Sequence, residues 1–323
     1  MIAPALHLAR RLGTAAGVLG LLAGCGDAKR SDSAGESAPP ADTTPPREFA
    51  TPESAAAALV TAAEKFDVPA LKDILGGVGA DLVESEDTVQ DRRTATAFAA
   101  EARQKQRLEF DSTKSTAVLS VGPADWPMPI PLVERDGKWA FDAAAGREEV
   151  LRRRIGRNEL DAIQVCRGYL EAQREYALTR HDGAMVNQYA QRVISTPGKQ
   201  DGLAWQTAGG KWEGPVGEEI ARAIAEGYND KREPYHGYYF KILKGQGPAA
   251  PMGQMDFVVD SAMIGGFALV AAPADYLVTG VNTFIVSYEG IIYEKDLGDR
   301  TLEEFRKMER YNPDSTWKAV PDS

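Results

Sequence analysis

The histidine at position 236 has the neighbours best suited to chemistry in this sequence. It is flanked by Tyr235, Tyr238 and Tyr239. An imidazole exchanges a proton near neutral pH, and a phenol beside it can hydrogen-bond a ligand. A histidine here can also serve the fold, by satisfying backbone groups where a strand begins. We adopt this structural interpretation and keep the four residues as the candidate ligand-binding site.

The other residues that could do chemistry lack the spacing that a site requires. His181 lies in the polar segment 179–183, which predicts a turn without the further carboxylates of a calcium loop. No histidine or cysteine cluster has metal-ligand spacing, and no Gly-x-Ser-x-Gly nucleophile motif occurs. We therefore predict no catalytic residue, no metal and no cofactor.

The start of the chain has the layout of a secretory signal. An arginine pair at 10–11 precedes an apolar stretch at 12–22 that is too short to span a bilayer. The residues at 22–25, Leu-Ala-Gly-Cys, resemble a bacterial lipobox. This resemblance implies that residues 1–24 are removed as a signal peptide. It also implies that Cys25 then carries acyl chains, palmitate among them.

The lipobox resemblance also implies a location in the cell envelope. Several acyl chains on one cysteine hold a protein stably to a membrane. Gly26 stands where lipoproteins of the inner membrane carry aspartate, so we predict attachment to the outer membrane through Cys25, facing the periplasm. Residues 25–48 hold that cysteine and a stretch rich in Ser, Ala and Pro, which predicts a disordered tether.

The second cysteine, Cys166, is predicted to belong to the core. If Cys25 carries lipid, Cys166 has no partner in the chain for a disulfide. It shares an apolar stripe with Leu160, Ile163 and Leu170 at helical spacing. A reactive thiol needs an exposed, basic neighbourhood, so we interpret Cys166 as a small buried hydrophobic residue.

Five arginines crowd the middle of the chain, and their spacing indicates pairing on a helix. Glutamates lie four residues before two of them, which is the spacing of helix-surface ion pairs. The alternative is a basic patch for an anionic polymer or a partner protein. The five are Arg147, Arg152, Arg153, Arg154 and Arg157.

Charge and composition exclude several classes of function. The 323 residues carry a formal net charge of -10, and 43% of them are hydrophobic. Such a chain can fold around a core, but it offers no positive footprint for nucleic acid. No apolar run long enough to span a membrane occurs. We therefore predict no nucleic-acid partner.

The first half of the chain predicts helices followed by strands. Thr51 and Pro52 are typical of a helix start, and an Asp136-Gly137 pair is typical of a hairpin turn. Helices are predicted at 51–66, 69–75, 91–107 and 146–155, and strands at 117–121, 130–134 and 138–141.

This first half resembles the nuclear-transport-factor-2-like superfold over residues 49–155. The similar segments are Thr-Pro-Glu-Ser-Ala-Ala-Ala-Ala-Leu-Val at 51–60 and Gly-Lys-Trp-Ala-Phe-Asp at 137–142. The resemblance implies an α+β domain with a curved antiparallel sheet and a pocket between sheet and helices. Function does not follow from it, because such a fold serves many functions.

The second half predicts one long helix followed by an antiparallel sheet. Asn158 is interpreted as the cap of a helix that reaches about residue 178. Strands are predicted at 238–243, 256–259, 266–271, 282–288 and 291–295, and a short helix at 301–310. Over residues 156–300 this order resembles the soluble domain of pilins and pseudopilins, without their apolar helix extension. The similar segments lie at 237–240, 267–271, 283–286 and 290–292. Residues 301–323 are predicted to be a C-terminal helix and tail.

Five segments in order look like one family across the globular part of the chain, the exported bacterial proteins of domain-of-unknown-function family 2950. They lie at 154–160, 172–176, 195–199, 234–239 and 294–298. The resemblance implies an envelope protein without an assigned activity. We therefore predict a noncatalytic α+β lipoprotein that contacts an envelope protein or a cell-wall component. The alternative is a periplasmic enzyme or small-ligand binder that uses the first-half pocket or the His236 region.

Overall fold

The computed structural model describes residues 43–226, 228 and 233–321. These residues form helices and antiparallel sheets that alternate in blocks along the chain, so the predicted α+β class is confirmed. The predicted signal peptide at 1–24, Cys25 and residues 26–42 of the tether lie outside the described residues. No helix in the described ranges is long and apolar enough to cross a membrane.

Four helices open the described chain, and their starts follow local capping signals. Thr51 accepts a hydrogen bond from the Ser54 backbone N at 3.1 Å, and Pro52 occupies the first turn, as predicted. The last of the four starts earlier than predicted, because Asp87 accepts from the Gln90 backbone N at 2.9 Å. The helices are α1 Pro52–Lys65, α2 Val68–Leu75, α3 Ala80–Val83 and α4 Thr88–Gln104.

A five-stranded antiparallel sheet packs against these helices. The strands are β1 Gln106–Phe110, β2 Thr116–Val121, β3 Trp126–Pro127, β4 Leu132–Arg135 and β5 Lys138–Phe141. They pair in the order β1-β2-β4-β5, with β3 also on β2. The sequence predicts a helix as far as residue 107 and does not predict β1. It is an exposed edge strand, so its side chains show little apolar alternation.

The last residues of the predicted tether are held against α2. The Thr44 carbonyl accepts from the Gly77 backbone N at 2.9 Å, and the Arg47 backbone N donates to the Asp73 carbonyl at 2.9 Å. Phe49 then pairs with Trp139 in a β-bridge. Residues 43–48 therefore belong to the folded part, whereas the prediction placed the start of order near Phe49.

A single helix, α5 Ala143–Tyr176, runs for 34 residues through the middle of the chain. The predicted break between residues 155 and 158 is wrong. Asp142 caps this helix by accepting from the Ala145 backbone N at 3.1 Å. Asn158 lies inside the helix and is 2% exposed. Its side-chain amide donates to the Thr279 carbonyl at 3.0 Å, so a distant loop uses the group that was expected to cap.

A second sheet lies beyond α5 and packs against it. Small elements come first, namely β6 Trp205–Gln206, β7 Trp212–Glu213 and α6 Gly217–Glu226. The strands that follow are β8 Tyr238–Leu243, β9 Gly245–Gln246, β10 Met255–Asp256, β11 Val258–Val259, β12 Ala262–Met263, β13 Ala268–Pro273, β14 Asn282–Ser287, β15 Ile292–Asp296 and, after α7 Thr301–Lys307, β16 Lys318–Ala319. The main sheet has the antiparallel order β16-β15-β14-β13-β8.

Most of the strands predicted for this half are confirmed. The exception is the single strand predicted at 256–259, which is wrong. Its residues fall into β10 and β11, which pair with β9 and β12 in two separate hairpins. Each half of the described chain has its own hydrophobic cluster, one within 49–143 and one within 162–311. The domain boundary at 155/156 stays a prediction, although α5 runs through that position.

Candidate functional site

The residues around His236 form a tight hairpin turn, called here the His236 turn (residues 235–238). The Tyr235 backbone N donates to the Tyr238 carbonyl at 2.8 Å, and the Tyr238 backbone N donates to the Tyr235 carbonyl at 3.2 Å. The two central residues both have positive φ, 51° at His236 and 76° at Gly237. A type I′ hairpin turn requires this backbone at both positions. The turn therefore fixes where the His236 side chain can lie.

The His236 imidazole is held by a carboxylate of α5. Its Nδ1 lies 2.7 Å from Asp161 Oδ2, and its ring lies 4.3 Å from that of Tyr235, centroid to centroid. The Nε2 atom is buried and has no hydrogen-bond partner within the described part of the chain. The side chain is 21% exposed. Orientation by a carboxylate suits a general base, but a base must also reach its substrate.

The structure brings Tyr235 beside His236 and directs the other two tyrosines elsewhere. Tyr238 is fully buried in the second-half core and donates its hydroxyl to the Asn282 carbonyl at 3.0 Å. Burial raises the pKa of Tyr238. Tyr239 points to the opposite face of β8, where its ring stacks at 6.4 Å on Phe305. A ligand-binding role for the four residues stays a prediction, and only two of them share one surface.

A buried aspartate connects the His236 turn to the first half. Asp87 is 3% exposed, and its Oδ2 accepts from the Gly237 backbone N at 2.8 Å and from the Tyr228 hydroxyl at 3.1 Å. A Cβ on Gly237 would overlap the Asn158 amide, so the turn packs closely against α5 here. We call Asp87, Gly237, Asn158 and Thr279 the junction. Asp87 was not among the predicted site residues, because the predicted start of α4 lies later, at residue 91.

The first half contains a mainly apolar pocket of about 500 Å³. It lies between α4 and the segment that follows β2, above a floor supplied by α1 and α2. The lining side chains of this floor and rim include Leu59, Leu71, Leu75, Phe98, Trp126 and Ile130. Four lining residues have polar side chains, namely Asp91, Thr94, Glu101 and Arg154. The superfold resemblance implied a pocket between sheet and helices, and that resemblance stays a prediction.

One buried charge pair lines this pocket. Arg154 Nη2 lies 3.8 Å from Asp91 Oδ1, and the two side chains are 11% and 6% exposed. Arg154 also donates to the Asp81 and Leu82 carbonyls, at 2.7 Å each, and Asp91 accepts from the Ser85 backbone N at 2.5 Å. Burial raises the pKa of Asp91, although the Ser85 hydrogen bond and the Arg154 charge oppose that shift.

Two arginines of the cluster form pairs on the surface of α5, whereas Arg154 is buried in the pocket. Arg152 and Arg153 pair with Glu148 and Glu149 on the surface of α5, as predicted. Arg154 was grouped with them, but its side chain turns into the pocket. Nothing in its local sequence distinguishes it, because its partners lie on α3 and α4.

The two remaining candidates from the sequence are structural. Cys166 is fully buried, as predicted, and burial raises the pKa of its thiol to about 12. His181 lies in the predicted turn region but is only 9% exposed, so it is more buried than a polar surface turn implies. Its ring stacks on Tyr176 at 3.9 Å, and its Nε2 lies 3.0 Å from the Tyr176 carbonyl oxygen. Across residues 43–226, 228 and 233–321, no three His, Cys, Asp or Glu residues are placed to hold a metal.

Comparison with known proteins identifies the family. The model described as "Protein of unknown function (DUF2950)" matches residues 46–320, which is nearly all of the described chain. No curated protein and no solved structure matches this sequence. The match agrees with the resemblance seen in five segments of the sequence. The chain therefore belongs to the DUF2950 family of proteins of unknown function.

Proposed function

We propose that this chain is a noncatalytic binding protein of the bacterial cell envelope that receives a small ligand in its first-half pocket. The pocket is the observation that carries the proposal. Its volume of about 500 Å³ falls in the range of small-molecule sites, which are concave and apolar with a few placed polar groups. The pocket of this chain has that composition.

The polar side chains of the pocket support binding rather than catalysis. Asp91 and Arg154 face each other and also bind backbone groups of the protein itself. A general acid or base needs a proton position that the substrate can reach in a productive geometry. Side chains held in this way fix the shape of a site, so we assign them to recognition.

The alternative function is a ligand site or active site at His236. The His236–Asp161 contact of 2.7 Å favours it, because a carboxylate that orients an imidazole is common to many acid–base catalysts. We rank it second because the other ring nitrogen is buried within the described part of the chain. This site would act through Tyr235 and His236, the two members of the candidate set that lie together.

We propose further that acyl chains on Cys25 anchor the protein at the outer membrane, facing the periplasm. The signal-like residues 1–24 and the Leu-Ala-Gly-Cys segment support this address. An envelope protein or a cell-wall component is the proposed partner, and the net charge of -10 disfavours nucleic acid. If Cys25→Ser still sediments with outer membranes after its signal has been removed, the anchoring proposal is wrong.

Filling the pocket tests the binding function. We would use the full chain with Cys25→Ser, free of detergent, and titrate it with a fluorescent apolar probe. Ala95 lines the pocket on α4, and Ala100 is exposed on the same helix outside the lining. We expect Ala95→Trp to weaken probe binding about tenfold or more by filling the site, while Ala100→Trp leaves it unchanged. Equal probe affinity in the two variants, both folded by circular dichroism, would exclude the pocket as the binding site.

A further inference from the structure

We propose that the ligand of this pocket is an uncharged amphiphile, an apolar chain that ends in a group able both to donate and to accept hydrogen bonds, such as an alcohol. This inference rests on the proposed function and adds the chemical class of the ligand. It follows from the charge balance of Asp91 and Arg154, from their hydrogen-bonding capacity, and from the apolar remainder of the lining.

The charge balance disfavours a charged head group. Asp91 and Arg154 carry opposite charges, and both are nearly enclosed by protein. A carboxylate or an ammonium group brought beside them would lose its hydration. It would gain no free counter-charge, because Asp91 and Arg154 already neutralise each other. Burying a charge in this way is costly, and breaking an existing buried pair is costly as well. A neutral head group avoids both costs.

The hydrogen-bonding capacity favours a head group that both donates and accepts. A guanidinium has five N–H donors, and Arg154 directs one bond each to the Asp81 and Leu82 carbonyls. An alcohol oxygen can accept from another of these donors, while its proton is directed to the Asp91 carboxylate. A hydrocarbon would form no hydrogen bond with either side chain. It would also exclude the water that could otherwise bond to them.

The rest of the lining accommodates an apolar chain. The floor residues Leu59, Leu71 and Leu75 are buried, and Trp126 stands at the rim with 43% exposure. If a methylene takes roughly the volume of one water molecule, about 30 Å³, a ten-carbon chain needs roughly 300 Å³. The pocket of about 500 Å³ therefore has room for such a chain and its head group.

A competition series with one chain length tests this class. The Cys25→Ser protein is loaded with the apolar probe at neutral pH, and decanol, decylamine and decanoate are added below their aggregation limits. We expect decanol to displace the probe at about tenfold lower concentration than either charged compound. Equal potency of the three, or tighter binding of a charged compound, would overturn the inference while leaving the binding function intact. Failure of the probe itself to bind would instead count against the proposed function.

Two charge-removing variants, one inside the pocket and one outside it, give a matched comparison. Asp91→Asn leaves the Arg154 charge without its facing partner, so we expect decanoate to gain about tenfold relative to decanol. Glu64→Gln removes the same charge from an exposed position on α1 that does not line the pocket, and the order of potency should stay as in the parent. An unchanged order in folded Asp91→Asn would also overturn the inference. If that variant does not fold, the order measured in the parent protein decides the question.

Discussion

Replacing Asp87 by alanine removes one carboxylate that accepts three hydrogen bonds. Its Oδ1 caps α4 through the Gln90 backbone N at 2.9 Å. Its Oδ2 accepts from the Gly237 backbone N at 2.8 Å and from the Tyr228 hydroxyl at 3.1 Å. The first contact is local to one helix, whereas the other two join the halves of the chain. The substitution therefore measures both a helix cap and the junction.

The expected loss follows from these contacts. Removing an aspartate cap costs about 1 kcal/mol. The Gly237 N–H is buried, and leaving such a donor without an acceptor costs about 1 to 3 kcal/mol. We add nothing for the Tyr228 hydroxyl, because that contact is only partly buried. Asp87→Ala should lower the free energy of unfolding by about 2 to 4 kcal/mol.

A second aspartate cap provides the control. Asp67 is exposed and caps α2 by accepting from the Ala70 backbone N at 3.1 Å. Asp67→Ala should therefore lose only about 1 kcal/mol. Urea unfolding followed by circular dichroism and tryptophan fluorescence gives both values. If the two variants differ by less than about 0.5 kcal/mol, the contacts of Asp87 across the junction contribute nothing, and our account of how the halves are held together is wrong.

Three further predictions concern single side chains. His236→Gln should remain folded and bind the apolar probe normally, whereas His236→Ala should lose about 1 to 3 kcal/mol in urea unfolding; a folded Gln variant without function in cells would favour the catalytic alternative. Burial holds the pKa of Asp91 above its ordinary 3.8, so the folded state binds that proton more tightly than the unfolded chain. The stability of the parent relative to Asp91→Asn should then be greatest below that value and fall as pH rises through the raised pKa of the folded state. A stability difference that rises with pH would mean that pairing with Arg154 outweighs burial. Cys166, with its thiol pKa raised to about 12 by burial, should react with thiol reagents only after unfolding; rapid labelling of the native protein, measured by mass spectrometry, would contradict this.

Features set by neighbouring residues could be predicted from the sequence. The start of α1 was predicted because Thr51 and Pro52 act on the turn that follows them. The hairpin at Asp136 and Gly137 was predicted for the same reason, since both residues have the positive φ that such turns require. In these cases the residues that cause the structure lie within a few positions of it.

Features set by distant partners could not be predicted. Asn158 has the side chain of a helix cap, but Thr279 uses its amide, and the helix continues through it. Arg154 looks like its neighbours in sequence, although Asp91 on another helix gives it a place in the pocket. Propensity alone cannot anticipate such tertiary contacts. The candidate site was therefore predicted as a His236 region, whereas the pocket's charge pair and Asp87 were missed.

The long helix α5 places the pocket and the junction on one rigid element. Arg154, Asn158 and Asp161 are spaced four and then three residues apart, which puts them along one face of that helix. In order, they contact the pocket, the Thr279 loop and the His236 turn. Arg154 also binds the carbonyls of α3, which precedes the segment that carries Asp87. A ligand that binds Arg154 therefore contacts the same helix that carries Asn158 and Asp161, so the pocket and the junction are positioned by one element.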